Sequence, residues 1–127
     1  LYKKNLIKQI EFDENPYKYF KYCNVFLLTS IYEGMPNVLI EAQILGMPIV
    51  ATNSPGGTSE ALLNGKAGLL ANMKDAEDIS KKVNILLTNK EVVSNLSLNF
   101  EKSLERFNPT NVSDQIILEA TNLVKIK

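Results

Sequence analysis

Three short apolar runs constrain the fold of this chain more than any other feature. They lie at residues 25–30 (VFLLTS), 48–52 (PIVAT) and 67–71 (AGLLA). Each run has the length of a strand, and a continuous apolar run of that length suits a parallel strand buried on both faces. Segments with helical patterning separate the runs, and this order predicts a parallel sheet built from βαβ units with right-handed crossovers.

The remaining segments extend this prediction to the whole chain. Residues 7–12 alternate sufficiently between apolar and polar side chains to predict a fourth short strand. Residues 91–127 are predicted to be helical with a break at Asn108 and Pro109. Other helices are predicted over residues 15–23, 36–45, 59–63 and 74–87. We therefore expect an α/β, Rossmann-like parallel sheet flanked by helices.

We expect this chain to be one partial domain within a longer protein. Residues 1–90 form its βαβ part and residues 91–127 its C-terminal helices. A four-stranded parallel sheet is a poor core by itself, and the chain begins at Leu1 rather than at a methionine.

Residue counts exclude several classes of function. Lys and Arg total 14, Asp and Glu total 14, and the net charge of zero gives no help to binding nucleic acid or an anionic membrane. The chain has no histidine, which removes Ser-His-Asp catalysis and His-ligated metal sites within it. No apolar run approaches the ~20 residues of a membrane span. We expect no metal site and no nucleic-acid partner.

Aromatic and basic residues interleave at residues 17–22, ahead of the single cysteine, Cys23. Helical spacing predicts that Tyr19, Tyr22 and Cys23 pack in the core while the lysines point outward. Cys23 cannot form an internal disulfide and is expected to behave as a small apolar group.

Ligands of parallel sheets bind at the carboxyl ends of the strands. Three turns are predicted there, at residues 29–37 (TSIYEGMPN), 52–60 (TNSPGGTSE) and 71–75 (ANMKD). In the first turn, Gly34 permits a sharp bend or a close approach to a ligand. Pro36 is predicted to start a helix whose first amides are free to bind a phosphate. Those amides belong to Asn37, Val38 and Leu39.

Two glutamates accompany this turn. Glu41 lies five residues beyond Pro36, which places it ~7.5 Å further along the helix axis. That is about the distance from a diphosphate to the ribose of the same nucleotide, and a carboxylate can accept hydrogen bonds from two ribose hydroxyls. Glu33 precedes the helix and would face the far side of the phosphate, where a sugar would sit.

Four blocks of residues, taken in order, resemble the C-terminal domain of the family-4 retaining glycosyltransferases with the GT-B fold (glycosyl transferases group 1). The blocks are residues 30–42 (SIYEGMPNVLIEA), 46–52 (GMPIVAT), 56–60 (GGTSE) and 64–68 (NGKAG). The family signature is two glutamates separated by seven residues, which here are Glu33 and Glu41. The resemblance covers about residues 12–90.

This resemblance implies the donor-binding part of an enzyme that transfers a sugar from a nucleoside-diphosphate sugar in polysaccharide biosynthesis. Glu33 would be the catalytic residue, contacting hydroxyls of the transferred sugar, and Glu41 would hold the ribose. Ser30 would line the nucleotide pocket, and Gly57 and Glu60 would border the cleft. The diphosphate would meet the amides of the segment formed by Gly34, Met35, Pro36, Asn37, Val38 and Leu39.

The resemblance also implies partners outside this sequence. They are earlier βαβ units with an Arg and Lys pair that neutralises the diphosphate, and an N-terminal acceptor-binding domain. We therefore expect the chain alone to be inactive and to need no cofactor. We expect the whole protein to be cytoplasmic, with no more than a peripheral association with the inner face of the membrane. Two alternatives stay open: a nucleotide-sugar 2-epimerase of the same fold, and a non-enzymatic α/β binding module.

Overall fold

The computed structural model describes residues 6–125. Within this range, a parallel sheet is flanked by helices, as the sequence predicts, and the sheet has three strands. The strands are β1 (Phe26–Leu28), β2 (Ile49–Thr52) and β3 (Leu69–Ala71). The α-helices are α1 (Asn37–Ile44), α2 (Thr58–Ala61), α3 (Ala76–Thr88), α4 (Lys90–Ser97), α5 (Phe100–Glu105) and α6 (Pro109–Lys125). A 3₁₀ helix over Pro16–Tyr22 precedes β1.

Strand β2 is the centre of the sheet, in the order β1-β2-β3. Phe26 of β1 pairs with Ile49, and Val50 pairs with Leu69 of β3. Every residue of β2 is buried, so the prediction of a strand covered on both faces is confirmed there. It is wrong for β1, where Leu27 is 44% exposed, because β1 has a neighbour on one side alone among the residues described.

Side chains of β2 divide the core between the two faces of the sheet, since successive residues of a strand point to opposite faces. Ile49 and Ala51 pack against α1 and α2, with Leu39 and Leu62 among their neighbours. Val50 faces the other way. Its cluster contains Ala71, Leu86 and Leu96 and draws on α3 and α4.

Local signals explain where several helices begin and end. Asp75 caps α3 by accepting a hydrogen bond from the amide of Asp78 at 2.9 Å. Gly46, with a φ of +69°, ends α1 in the left-handed conformation that glycine favours. The predicted break at Pro109 is confirmed, since α6 begins there. A further break separates α4 from α5, and the last two residues of the predicted helical region lie outside the described residues.

The segment before β1 differs most from the prediction. Residues 7–12 form no strand, because no neighbouring strand among the described residues supplies the hydrogen bonds that a strand requires. The sheet therefore has three strands rather than four within residues 6–125.

The predicted core packing of the aromatic segment is wrong for Tyr22 and Cys23, whereas its lysines are exposed as predicted. A 3₁₀ helix has three residues per turn rather than 3.6, so Cys23 does not share a face with Tyr19, whereas Tyr22, three positions after Tyr19, does. Tyr22 is 76% exposed, and Cys23 is exposed and donates its Sγ–H to the carbonyl of Tyr19. Phe20 packs on the core instead, with its ring stacked 5.6 Å from that of Phe26.

A polar cluster fixes the start of the 3₁₀ helix. Lys18 forms an ion pair with Asp13 at 2.6 Å, and the hydroxyl of Tyr19 donates to the same carboxylate at 2.7 Å. The hydrogen bonds from Lys18 and then Tyr19 lower the pKa of Asp13 to about 2. In the part of the chain that the structure describes, no helix combines the length and the apolar character needed to cross a membrane.

Candidate functional site

Two loops meet at the carboxyl edge of the sheet, one after β1 and one after β2. The amide of Gly57 donates to the carbonyl of Gly34 at 2.6 Å, and the amide of Glu33 donates to the carbonyl of Pro55 at 3.3 Å. The Thr52 hydroxyl donates to the carbonyl of Ser30. These three bonds join the first two predicted ligand-binding turns into one surface.

Glu33 lies half-buried where the two loops meet. Its Oε1 accepts a hydrogen bond from the hydroxyl of Ser30 at 2.5 Å. Over residues 6–125, its carboxylate has no cationic partner within ion-pair distance, and Oε2 accepts no hydrogen bond. The same residues contain no group of three or more Asp, Glu or Cys side chains that could hold a metal ion. Glu33 therefore keeps one carboxylate oxygen available to a ligand.

Two glycines allow the loops to approach each other this closely. Gly56 has a φ of +102°, and a Cβ there would overlap the carbonyl oxygen of Glu33. A Cβ at Gly57 would lie 2.6 Å from the carbonyl oxygen of Gly34 and 2.9 Å from Cε of Met35. Gly34 is exposed, and a Cβ there would have no neighbour within 4 Å. The place of Gly34 beside a ligand stays a prediction.

The start of α1 offers two free amides rather than the three predicted. The amide of Leu39 donates to the carbonyl of Pro36 at 2.9 Å, so the prediction that it is free is wrong. Pro36 is buried and is the N-cap residue, so α1 begins at Asn37, one residue later than predicted. The amides of Asn37 and Val38 make no hydrogen bond to any residue between 6 and 125. Such amides are the donors that an anion meets at a helix N-terminus.

Glu41 lies on the outer face of α1, one turn beyond Asn37. It borders a shallow cavity of about 250 Å³, lined also by Tyr17, Ile44 and Leu45. The prediction that α1 is mostly buried is wrong. One face alone is buried, and Ile44 is 65% exposed. The half-buried Glu41 therefore needs no charged partner inside the protein. Glu33 does not line this cavity, and the joint action of the two glutamates stays a prediction.

Glu60 takes no part in the hydrogen bonds that join the two loops. It is exposed and borders a cavity of about 480 Å³. The other residues that line this cavity belong to α5, to α6 and to the link between these two helices. Arg106 donates to its carbonyl oxygen at 2.6 Å. The structure thus brings Ser30, Glu33, Gly34 and Gly57 together, while the predicted place of Glu60 in the same cleft stays a prediction.

Sequence reasoning missed the residues that hold α2 in place. Gln43, 2% exposed, donates from Nε2 to the carbonyls of Leu39 and Ala61, each at 3.1 Å. Ser103, fully buried, donates to the same carbonyl of Ala61 at 2.9 Å. Since α2 directly follows Gly57, these bonds also steady the second loop. An amide side chain at helical spacing from the apolar Leu39 was the available signal at Gln43.

Comparison with known proteins agrees with this architecture. The family described as glycosyl transferases group 1 matches residues 3–103. The capsular polysaccharide biosynthesis glycosyltransferase CapM of Staphylococcus aureus is 31% identical over 114 residues, which cover 90% of this chain and 28% of CapM. The N,N'-diacetylbacillosaminyl-diphospho-undecaprenol alpha-1,3-N-acetylgalactosaminyltransferase of Campylobacter jejuni is 29% identical over 103 residues, 81% of this chain and 27% of that enzyme.

Solved structures show the same fold. Alr3699/HepE of Anabaena, solved in complex with UDP and glucose, has a TM-score of 0.80 at 21% identity, over 94% of this chain and 33% of that one. The chain spans between a quarter and a third of these three proteins. The predicted membership of a GT-B fold is confirmed. From its match over residues 3–103 and its parallel sheet, we conclude that the chain belongs to the family of glycosyl transferases group 1.

Proposed function

We propose that this chain is the donor-binding part of a retaining glycosyltransferase of polysaccharide biosynthesis, with a nucleoside-diphosphate sugar as its donor. One observation carries the proposal: the joined loops place the Glu33 carboxylate just before a helix start with two free amides. Two of the similar proteins support it. One acts in capsular polysaccharide biosynthesis, and the Anabaena protein was solved with UDP and glucose.

The diphosphate would bind at the start of α1. The amides of Asn37 and Val38 supply hydrogen bonds, and the helix dipole adds about 0.3–1 kcal/mol of attraction for an anion. Gly34, with open space beside it, lets the phosphates approach the backbone. Met35 and Pro36 complete the turn. The proposal needs no metal ion, because cations from the rest of the protein would neutralise the remaining charge.

The ribose would bind to Glu41. This residue lies four positions after Asn37, which is ~6 Å along the helix axis. Each hydrogen bond from a ribose hydroxyl to a carboxylate contributes about 1.5–3 kcal/mol. The side chains of Tyr17, Ile44 and Leu45 would form an apolar wall beside the nucleoside.

The transferred sugar would bind beside Glu33. In the proposed transition state the sugar carries positive charge at its anomeric carbon, and the nearby carboxylate stabilises that charge. The amides at the start of α1 stabilise the negative charge on the departing diphosphate. The acceptor hydroxyl then bonds to the anomeric carbon from the face that the diphosphate leaves, its proton passes to the departing diphosphate oxygen, and the configuration is retained.

Other parts of the whole protein complete this proposal. An N-terminal domain would bind the acceptor. The enzyme would work in the cytoplasm, and any peripheral contact with the inner face of the membrane would be made by those other parts. Gly57 shapes the loop that supports Glu33, and we keep Glu60 as a residue at the border of the donor cleft.

The test is nucleotide binding by the full-length protein. Isothermal titration with UDP, GDP and dTDP identifies the base. With the nucleotide that binds, Glu41→Ala should weaken affinity at least tenfold, since it removes up to two bonds worth about 1.5–3 kcal/mol each. The matched control is Glu119→Ala, which removes an exposed glutamate on α6. Equal affinity of the two variants would contradict the assignment.

Product analysis separates the alternatives that share this fold. Incubation with the nucleotide sugar and an acceptor should give a transferred sugar with its anomeric configuration kept. An epimerised nucleotide sugar would indicate an epimerase instead. A protein that binds a partner yet neither binds nucleotide nor transfers sugar would be a binding module.

A further inference from the structure

We propose that Ser30 is a positioning residue, which fixes the carboxylate of Glu33 against the sugar, rather than a residue that binds the nucleotide. The proposal rests on the proposed function and gives Ser30 a different role from the one that the family resemblance implies. It depends on how Ser30 is held and on where its single hydroxyl proton goes.

Ser30 is held at both ends. Its carbonyl accepts a hydrogen bond from the hydroxyl of Thr52, a residue 3% exposed at the end of the central strand β2. Its own hydroxyl donates to Oε1 of Glu33 at 2.5 Å. A serine hydroxyl has one proton to donate. Because that proton is used on Glu33, Ser30 cannot donate to a phosphate or a base at the same time.

The backbone of Glu33 is held from the opposite side. Its amide donates to the carbonyl of Pro55, and the carbonyl oxygen of Glu33 lies where a Cβ on Gly56 would be. The backbone of Glu33 therefore has little freedom, and its side chain keeps several rotatable bonds. The hydrogen bond from Ser30 restricts rotation about these side-chain bonds. Because Ser30 is itself bonded to Thr52 of β2, the position of Oε2 is fixed relative to the sheet.

The consequence is a division of roles within the first loop. Ser30 and Thr52 orient Glu33, Glu33 contacts the sugar, and the amides that follow contact the diphosphate. Loss of the Ser30 hydroxyl should therefore affect steps that involve the sugar and leave binding of the nucleotide alone unchanged. A small misplacement of a catalytic group can lower the rate substantially.

The test uses the full-length protein and compares Ser30→Ala with Ser30→Thr, which keeps a hydroxyl. For Ser30→Ala we expect turnover to fall about tenfold or more, with the Kd for the free nucleoside diphosphate (UDP as the first probe) within about twofold of wild type. Ser30→Thr should recover most of the turnover. In a Glu33→Ala background, Ser30→Ala should cause no further loss, since Ser30 acts through Glu33.

Two results would overturn the proposal. A parallel loss of nucleotide affinity and turnover would place Ser30 in the nucleotide pocket, and additive losses in the double variant would make its action independent of Glu33.

A measurement without ligand keeps the proposal separate from the proposed function. In protein labelled with ¹³C at the glutamate carboxyl carbons, the Glu33 signal, assigned with Glu33→Gln, should shift in Ser30→Ala and stay in place in Ser30→Thr. An unchanged signal in Ser30→Ala would refute the contact. If wild-type protein neither binds nucleotide nor transfers sugar, the proposed function fails, and this signal still decides whether Ser30 holds Glu33.

Discussion

Replacing Gly56 with alanine should damage this protein more than the same change at another glycine of similar backbone conformation. Gly56 and Gly46 have φ values of +102° and +69°. Around Gly46 a Cβ would meet nothing within 4 Å, whereas at Gly56 it would overlap the carbonyl oxygen of Glu33. The pair therefore separates the cost of backbone strain from the cost of the steric clash.

The structure gives a magnitude for each variant. Gly46→Ala places a side chain in the left-handed region and should lower the free energy of unfolding by about 1–2 kcal/mol. Gly56→Ala causes backbone strain as well. It also displaces the Glu33 loop and weakens the hydrogen bonds between the two loops, each of which contributes about 0.5–1.5 kcal/mol. The expected total loss for Gly56→Ala is about 2–6 kcal/mol.

Urea denaturation of the two variants beside wild type measures this difference. Nucleotide titration of the same proteins adds a functional readout, since Gly56→Ala should disturb the Glu33 loop and Gly46→Ala should not. Equal losses of stability in both variants would refute the argument that the loops approach too closely for a side chain.

Three further predictions concern stability. Ser103→Ala removes a buried hydrogen bond to α2 and should cost about 1–3 kcal/mol in urea denaturation, whereas exposed Ser94→Ala should change stability by less than about 0.5 kcal/mol. Leu39→Ala should cost about 2–5 kcal/mol by the same measurement, because Leu39 is fully buried between α1 and the sheet; a loss below 1 kcal/mol would contradict this core. Asp13 has a pKa lowered from 3.8 to about 2, mainly by Lys18, so its charged form stabilises the fold above pH 3.8 and this contribution is lost as the pH falls through about 2. Asp13→Asn should therefore flatten the decline in melting temperature over that range, and an unchanged decline would refute the role of the pair.

Much of the fold could be predicted from local pattern. The apolar run ending in Thr52 gave β2, and the glycine at 46 gave the end of α1, because each signal is contained within a few residues. Residues 7–12 could not be predicted in the same way. Alternation indicates that a segment is able to form a strand, but a strand exists only where a neighbour supplies hydrogen bonds.

The candidate site was predictable to a smaller extent. The two loops could be placed at one edge from topology alone, since parallel strands end at the same edge. The contacts between the two loops depend on tertiary packing, and no residue spacing in the sequence predicts that Gly56 lies against Glu33. The free amide predicted at Leu39 was wrong because the first turn of α1 closes with a 3₁₀-type hydrogen bond from that amide to the carbonyl of Pro36, which no sequence pattern indicates.

The most direct test of the account is a crystal structure of the full-length protein with its nucleoside diphosphate bound. We expect phosphate oxygens within about 3 Å of the amide nitrogens of Asn37 and Val38, and ribose hydroxyls at the same distance from the Glu41 carboxylate. A nucleotide bound elsewhere, with those two amides facing solvent and Glu41 free of ligand, would contradict the account.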